Sequence, residues 1–326
     1  MRALRGAITA LIRFAAWCAD ILARWRPGRT GFVLVYHGVS PKPVQGQRLS
    51  TPQPSAEVEE QIAHIARRYR IVTASELPQA VRSRRLGARI PVALTFDDDL
   101  RSHLEVTAPI LRRHRATATF FLTGSSLERP YRFWWQRLEA AMDGGVQTDD
   151  LLRRFDIAPR ALAANPYAVG KTVEAMPPER RERFSTGLAE LLGPDPEGEG
   201  LRVADVRALL DHGFEIGFHT AAHHPLSFLD DDDLAEAMRV GHEALEAACG
   251  APVTLIAYPH GATSPRVAAA AQDAGFTLGF TLEPDPVLLS SAPLMLGRND
   301  FWGVRSPFFE VKTAILALRR NPPNPT

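Results

Sequence analysis

Cysteine is scarce in this chain, and neither sign of charge is in excess. Cys18 and Cys249 are the only cysteines, and their spacing fits neither a thiolate metal site nor a disulfide framework. A reducing compartment is therefore permitted, although an exported protein with two cysteines is not excluded. Lysine and arginine number 38 against 37 aspartate and glutamate, which gives a net charge of +1. This balance provides no basic footprint for nucleic acid and no preference for a strongly anionic partner.

A long uninterrupted apolar run is also missing. The apolar stretch from Ile8 to Trp25 is broken by Arg13 and Asp20, whereas a bilayer span needs about 20 predominantly apolar residues. A signal peptide is not expected either, because no clear small-residue cleavage site follows. Residues 1–30 instead predict a basic amphipathic helix that either lies on an anionic membrane surface or packs on the rest of the chain. We expect a cytoplasmic protein, with the inner face of the membrane as the more specific location.

Short apolar runs alternate with helical patterns along most of the 326 residues. The strand candidates are Phe32–Tyr36, Val92–Phe96, Thr117–Leu122, Glu215–Phe218, Thr254–Tyr258 and Thr277–Thr281. The helix candidates between them are Ala56–Arg68, Ala74–Arg82, Leu104–His114, Val203–His212, Leu234–Ala248 and Pro265–Ala274. This alternation predicts an α/β fold with a parallel sheet, open or closed into a barrel, whose strand ends meet at one rim where ligands bind.

The chain divides into a main domain, an insertion and two terminal segments. Residues 31–307 form the predicted domain. Within it, residues 128–200 interrupt the alternation of strands and helices, which predicts a helical insertion between two strands. Residues 308–326 predict a C-terminal helix followed by a disordered, proline-rich tail. Trp134 and Trp135 at the start of the insertion either stack on a sugar face or anchor the insertion to the core. We expect anchoring for one of them and keep Trp134 as a candidate sugar contact.

Two polar motifs follow strand candidates and carry the chemistry. The first is Leu94-Thr95-Phe96-Asp97-Asp98-Asp99, and the second is His219-Thr220-Ala221-Ala222-His223. One carboxylate and two imidazoles can hold a divalent metal with positions left open for water and substrate, while a second carboxylate acts as a base. Three consecutive aspartates are also common in solvated turns, and the histidines could be loop residues. Their joint occurrence at strand ends favours a metal-assisted hydrolase.

These motifs resemble the polysaccharide deacetylases with the nodulation-deacetylase homology domain, carbohydrate esterase family four. Thr95-Phe96-Asp97-Asp98 is similar to the first motif of that family, and His219-Thr220-x-x-His223 to the second. Ala118–Leu122 matches the strand after the first motif, and Tyr258-Pro259-His260-Gly261 the Pro-aromatic-Gly loop of the third. The opening Val33–Val39 resembles a subgroup whose last catalytic motif has moved to the N-terminus. The resemblance covers about residues 31–125 and 200–302, and it implies a distorted, incomplete (β/α) barrel.

The resemblance also assigns roles at the metal site. It implies Asp97 as the base and Asp98, His219 and His223 as the metal ligands, an order that the residues alone do not settle. Zn²⁺ suits this ligand set, and Co²⁺, Ni²⁺ or Mn²⁺ are alternatives. Asp99 stands where the family usually has glycine, which is tolerable because aspartate adopts left-handed turns better than most residues. His224 competes with His223, but the four-residue spacing from His219 favours His223.

Two family positions are filled by other residues in this sequence. No histidine follows His260, so the permuted motif order implies His37 as the general acid that protonates the departing amine; a histidine that merely ends a strand is the alternative. Ala257 stands where the family has the arginine that tethers the base. Arg298 is the predicted substitute, since a guanidinium binds a carboxylate bidentately; a surface arginine is the alternative. Tyr258, Pro259 and His260 are candidate substrate contacts, with the backbone amide near His260 as an oxyanion donor.

The leading function is a metal-dependent N-deacetylase of an N-acetylated amino sugar in a polysaccharide, oligosaccharide or precursor. A runner-up with similar chemistry is a deacylase or deformylase of a lipid-linked sugar, which a membrane-surface helix at the N-terminus would suit. A catalytically inactive carbohydrate-binding protein is a different class, and the intact Asp97, Asp98, His219 and His223 count against it. A non-haem iron oxygenase uses similar ligands, but its usual fold does not alternate strands and helices in this way.

Overall fold

The computed structural model describes residues 2–42, 49–157 and 166–319. Its strands are Thr30–Tyr36 (β1), Val39–Ser40 (β2), Gln53–Pro54 (β3), Arg70–Val72 (β4), Pro91–Asp97 (β5), Thr119–Leu122 (β6), Glu215–Phe218 (β7), Leu255–Ala257 (β8), Leu278–Phe280 (β9), Val287–Leu288 (β10) and Asn299–Asp300 (β11). Its α-helices are Arg2–Trp25 (α1), Ser55–Arg68 (α2), Leu77–Ser83 (α3), Ala108–Arg113 (α4), Trp134–Asp143 (α5), Thr148–Arg154 (α6), Pro166–Glu174 (α7), Pro178–Leu192 (α8), Val203–Asp211 (α9), Asp231–Arg239 (α10), His242–Cys249 (α11), Pro265–Asp273 (α12) and Phe308–Leu318 (α13). Single turns of π-helix (His103–Thr107) and 3₁₀-helix (Leu226–Phe228 and Pro259–Gly261) complete the described elements.

The main sheet is parallel and curls into an open half-barrel with helices around it. Its strand order is β10-β1-β5-β6-β7-β8-β9, and β4 and β11 pair with β5 and β1. All pairings are parallel except that of β1 with the short edge strand β10. Every residue of β1 and β5 is buried, as expected for strands covered on both faces. The predicted incomplete (β/α) barrel is therefore confirmed.

One predicted helix is two helices in the structure. The pattern Leu234–Ala248 predicted a continuous helix, but α10 ends at Arg239 and α11 begins at His242. Gly241 lies between them with φ 83°, and a Cβ at this position would lie 2.7 Å from the carbonyl oxygen of Thr123. The break lets the loop after β6 pass close to the helix pair, a contact with no local sequence signal.

The insertion has a hydrophobic cluster of its own. Helices α5 to α8 contribute to this cluster, in which Trp134, Trp135, Leu138 and Phe184 are buried. The sequence pattern predicts helices over Gln136–Met142 and Glu179–Leu192. Helix α5 extends the first of these at both ends and α8 extends the second by one residue at its start, whereas α6 and α7 had no predicted counterpart. The segment therefore packs as a small helical layer next to the sheet.

Helix α1 lies against the domain through one face. Ala16, Asp20 and Ala23 are buried on that face, and Asp20 accepts a hydrogen bond from the Tyr69 hydroxyl. The stretch Gly6–Trp25 is nevertheless long and apolar enough to cross a membrane on length and composition alone, and 17% of its most apolar 18 residues is buried. The C-terminal helix expected from residue 308 is present as α13, and the expected disordered tail at residues 321–326 lies outside the described residues.

Candidate active site

The carboxyl ends of the parallel strands meet at one rim, and the motif residues lie there. The register aligns Tyr36 with Phe96, Asp97 with Phe121, and Leu122 with Phe218, so the strands end at nearly the same level. The residues that follow β1, β5 and β7 therefore come together. This is the edge at which α/β sheets bind ligands.

Asp98, His219 and His223 form a buried cluster at this rim. One potential ligand atom from each of them lies within 4.8 Å of the other two. His223 Nε2 is 3.5 Å from Asp98 Oδ1, and His219 Nε2 is 3.9 Å from the same oxygen. The three side chains predicted as metal ligands are thus brought together by the fold.

The chemistry of this cluster fits a divalent cation. Asp98 Oδ1 is buried and has no hydrogen-bond partner within residues 2–42, 49–157 and 166–319. Burial together with Asp97 and Asp99 raises the pKa of Asp98. His219 Nδ1 donates to the Ala257 carbonyl oxygen at 2.7 Å, which leaves the Nε2 lone pair free for a metal. Burial lowers the pKa of His219 to about 4, so the imidazole is neutral at pH 7, as a ligand must be.

The backbone at the rim is held in rarely populated conformations. Six described residues other than glycine have positive φ, and four of them flank the site: Asp98, Thr220, His223 and His260. Side chains disfavour this region, and such strain concentrates at functional sites. The sequence suggested that Asp99, at the position where the family has glycine, would take the left-handed conformation. In the structure Asp98 takes it, with φ 77°, and Asp99 does not.

Asp97 is bound by Arg298, as the sequence predicted. Arg298 Nη1 and Nη2 donate to Asp97 Oδ1 and Oδ2 at 2.7 and 2.8 Å. Both side chains are almost completely buried. Burial by itself would raise the pKa of Asp97, but Arg298 and His219 outweigh it and hold the pKa at about 2. Asp97 is therefore an ionised carboxylate fixed in orientation, with His219 Nε2 3.7 Å away.

Asp99 stabilises the loop after β6. Its Oδ1 accepts from the Thr123 amide at 2.7 Å. Its Oδ2 accepts from the hydroxyls of Thr123 and Ser126 at 2.8 and 3.0 Å. The third aspartate is thus a structural acceptor rather than part of a solvated turn.

Of the other predicted site residues, some lie near the buried cluster and some lie in the core. His37 is half-buried at the end of β1, close enough for its charge to act on Asp97. His260 brings its ring to 4.7 Å from that of His223. Tyr258 is fully buried, and its hydroxyl donates to the Leu294 carbonyl oxygen 2.9 Å away. Pro259 is buried as well. The structure therefore gives Tyr258 a core position, which does not match its expected contact with substrate.

Of the two adjacent tryptophans, Trp135 lies next to the candidate site and Trp134 does not. Trp134 packs against Phe184 inside the cluster of the insertion, so its assignment to the substrate does not fit its position. Trp135 lies 4.8 Å from the His223 ring, measured between ring centroids. Sequence adjacency identified the pair, but only the orientation of α5 shows which ring reaches the site.

Two functional candidates were missed from the sequence. His103 is buried on the π-helical turn, and its Nε2 donates to the Asp97 carbonyl oxygen at 2.9 Å. Arg181 on α8 is fully buried and lies within electrostatic range of His223, His224 and His260. Neither residue belongs to a motif, and Arg181 reads in the sequence as one arginine among several on a helix.

Comparison with known proteins agrees with this geometry. A family model described as polysaccharide deacetylase matches residues 87–154 and 160–279, more than half of the chain. No curated protein matches the chain.

Several solved structures share the fold. The Streptococcus pyogenes deacetylase PplD, solved in complex with acetate, is 17% identical, with a TM-score of 0.59 over 88% of this chain and 99% of that one. A de-N-acetylase from Aggregatibacter actinomycetemcomitans is 16% identical, with a TM-score of 0.56 over 83% and 94%. IcaB from Ammonifex degensii is 17% identical, with a TM-score of 0.54 over 90% and 98%. At these identities the likeness concerns the fold alone.

Proposed function

The chain belongs to the polysaccharide deacetylase family, and from this premise we propose that it is a metal-dependent hydrolase that removes the N-acetyl group from an amino sugar. The substrate is a polysaccharide, an oligosaccharide or a precursor of one. Membership of the family supports carbohydrate deacetylation in general. The observation that carries the finer proposal is the buried cluster of Asp98, His219 and His223 beside the Arg298-bound Asp97.

Each side chain has a defined task in this proposal. A divalent cation on Asp98, His219 and His223, with Zn²⁺ first and Co²⁺, Ni²⁺ or Mn²⁺ as alternatives, would polarise the acetyl carbonyl and lower the pKa of a water molecule. Asp97 accepts the proton from the attacking water, since Arg298 holds it ionised and oriented. General-base catalysis of this kind contributes on the order of 10²–10⁴-fold.

The remaining steps use the two loops that flank the cluster. The backbone amide of His260 donates to the oxyanion that forms at the carbonyl carbon. His37 gives a proton to the amine nitrogen as the carbon–nitrogen bond breaks, so that acetate and a free amine leave. Deacylation or deformylation of a lipid-linked sugar follows the same scheme and is the alternative; an inactive carbohydrate-binding protein would lack turnover altogether.

The test combines metal analysis with product analysis on N-acetylated glycan fragments. We expect the wild-type protein to bind about one metal ion and to release acetate while leaving the free amine. Asp97→Asn should keep the metal and lose on the order of 10²–10⁴-fold in rate, whereas His219→Ala should lose the metal. His212→Ala is the matched control, because His212 is exposed at the C-terminal end of α9, before the amino end of β7, whereas the site follows the carboxyl end of that strand.

Each result has one interpretation. Metal bound without release of acetate, with release of formate or of acyl groups from lipid-linked sugars, would replace the substrate by the alternative. A metal-replete wild type that binds no metal would contradict the catalytic reading and leave a binding protein.

The second part of the proposal concerns a membrane. The outward face of α1 exposes six large apolar side chains: Ile8, Leu11, Phe14, Trp17, Leu22 and Trp25. Leu11 is 68% exposed, Phe14 60% and Trp25 62%. A continuous apolar stripe of this size that contains two tryptophans is typical of a helix lying in the interface of a bilayer.

Charge next to this face favours an anionic lipid surface as the occupant. Arg85 and Arg89 flank Gly87, a Cβ at which would lie 3.2 Å from the Trp25 ring. With Arg70 and Arg115 they line a groove of about 580 Å³ that contains no acidic residue among its described lining. Buried Asp20 and the pair of Arg13 with Glu310 hold α1 on the domain, which favours contact in the plane of the membrane over spanning. We propose that the protein lies in the cytoplasm at the inner face of the membrane.

A further inference from the structure

Helix α8 carries a buried guanidinium, that of Arg181. Its side chain is 1% exposed, and Nε, Nη1 and Nη2 have no hydrogen-bond partner among the residues that the structure describes. Burial lowers the pKa of Arg181 to about 10, so the group stays charged at neutral pH. A buried charge with no partner destabilises a fold, and an anionic ligand would offset this cost by supplying the missing contacts.

Further unpaired polar atoms surround it. Arg181 lies within electrostatic range of His223, His224 and His260. His223 Nδ1, His224 Nδ1 and His260 Nε2 are also buried, and no group in the described part of the chain forms a hydrogen bond with them. We call these four residues the Arg181 cluster. His223 and His224 come from the loop after β7, His260 comes from the loop after β8, and Arg181 comes from helix α8 of the insertion.

His223 links the cluster to the candidate metal site. If His223 Nε2 faces the metal, its Nδ1 carries the proton and needs an acceptor, as metal-bound histidines generally have. Among the described residues none accepts from this atom. An oxygen atom of a bound substrate would supply an acceptor at this position.

Charge determines which acceptor fits. Arginine has five N–H donors and no acceptor, and its planar fork matches the paired oxygens of a carboxylate or a phosphate. Glu174 and Glu182 are the acids within electrostatic range of Arg181, but neither forms an ion pair with it in the described structure. Glu174 is instead paired with Lys171 at 2.7 Å.

We propose that the Arg181 cluster binds an oxyanion carried by the substrate, so that the amino sugar bears a phosphate or carboxylate group near the acyl amide. The inference rests on the proposed function for the identity of the sugar, but the oxyanion site stands on its own contacts. It makes the helical insertion the part of the chain that selects the substrate.

Binding to the full chain in the Asp97→Asn background tests the proposal without turnover. Calorimetry compares N-acetylglucosamine 1-phosphate, an N-acetylhexosaminuronic acid and neutral N-acetylglucosamine. We expect one anionic sugar to bind at least about tenfold more tightly than the neutral one, the gain typical of a charged hydrogen-bonded contact. The better of the two anionic sugars identifies phosphate or carboxylate as the group.

Variants of Arg181 separate binding from a structural role. Arg181→Met should remove the preference for the anionic sugar while leaving the unfolding midpoint equal or higher, since an unpaired buried charge is lost. Arg181→Lys keeps the charge, loses the bidentate geometry and should retain part of the preference. Arg183→Met is the matched control, because Arg183 is exposed on the same helix.

Equal affinity of the wild-type chain for anionic and neutral sugars would overturn the inference, and so would a destabilised Arg181→Met that still prefers the anion. The proposed function fails separately. Anion binding without any release of acyl groups by the metal-loaded wild type would keep the oxyanion site and remove the hydrolase.

Discussion

The three consecutive aspartates at the end of β5 differ in role because they meet different neighbours. Asp97 faces Arg298 in a buried bidentate pair. Asp98 turns into the left-handed region and points one unpaired oxygen toward two imidazoles. Asp99 accepts hydrogen bonds from the loop after β6. One run of identical side chains thus provides the base and the metal ligand of the proposed mechanism, together with a structural support for the loop after β6.

Replacing Arg298 should reveal how strongly the pair holds the rim. In Arg298→Met, Asp97 keeps a charge in a buried place without its partner, and the free energy of unfolding should fall by about 3–5 kcal/mol. Urea unfolding of the metal-depleted protein at pH 7 measures the change.

A double variant is the control for this effect. Asp97→Asn removes the stranded charge, so the loss in Asp97→Asn/Arg298→Met should be smaller than the sum of the two single losses. Additive losses would mean that the two side chains do not stabilise each other through their ion pair.

Most of the site could be predicted from the sequence because its residues lie in short motifs next to strands. Asp97, Asp98, His219 and His223 are local in this sense. Arg298 was found only through the need to orient Asp97, a need created by the chemistry. Arg181 gave no signal, since nothing in α8 distinguishes a buried arginine from the exposed Arg183.

Among the secondary-structure elements, long patterns were predictable and short ones were not. Strands β1 and β5 are continuous apolar runs, so they were located to within two residues. Strands β10 and β11 have two residues each and exist only because β1 offers them free edges. The division between α10 and α11 depends on the approach of Gly241 to the Thr123 carbonyl oxygen, which is a tertiary contact.

The contact of α2 with α13 gives the fold a dependence on pH. His64 is buried between these helices, with its ring at 5.9 Å from Phe309 and 6.0 Å from Tyr69. Burial lowers the pKa of His64 to about 4, below the value of about 6.5 in an unfolded chain. The unfolded state therefore binds more protons between these values, and stability rises with pH across this window.

The expected size of this effect is measurable. From pH 7 to pH 5, His64 should lower the free energy of unfolding by about 2 kcal/mol. His64→Gln should lose that part of the acid sensitivity in urea titrations at the two pH values, while the exposed His212→Gln should behave like the wild type. An unchanged fall in His64→Gln would show that His64 does not remain neutral in the folded protein.

At the scale of the whole molecule, the rim that carries the candidate active site and the groove lined by arginines next to α1 occupy opposite ends of the half-barrel. The rim lies at the carboxyl ends of β5 and β7, whereas Arg70 begins β4 and the groove includes Pro91 at the start of β5. Helix α1 leads into β1 from the amino-terminal side. The proposed contact of α1 and the groove with a membrane would therefore leave the rim open to the proposed sugar substrate.

Vesicle flotation of the full chain tests this orientation. The protein should float with vesicles of phosphatidylcholine and phosphatidylglycerol, bind less to phosphatidylcholine alone, and lose affinity as salt rises. Phe14→Ser should weaken partitioning by about 2 kcal/mol, or about 30-fold, because a large apolar side chain no longer enters the interface.

Two further measurements test whether binding depends on the exposed face of α1 and whether α1 lies in the plane of the membrane. Leu191→Ser removes an exposed apolar side chain from α8 in the insertion and should bind vesicles like the wild type. Carbonate should extract the bound protein, because Asp20 and Tyr69 keep α1 packed on the domain. Resistance to carbonate would mean that α1 leaves this packing and spans the bilayer, and equal loss in both serine variants would mean that binding does not depend on the face of α1.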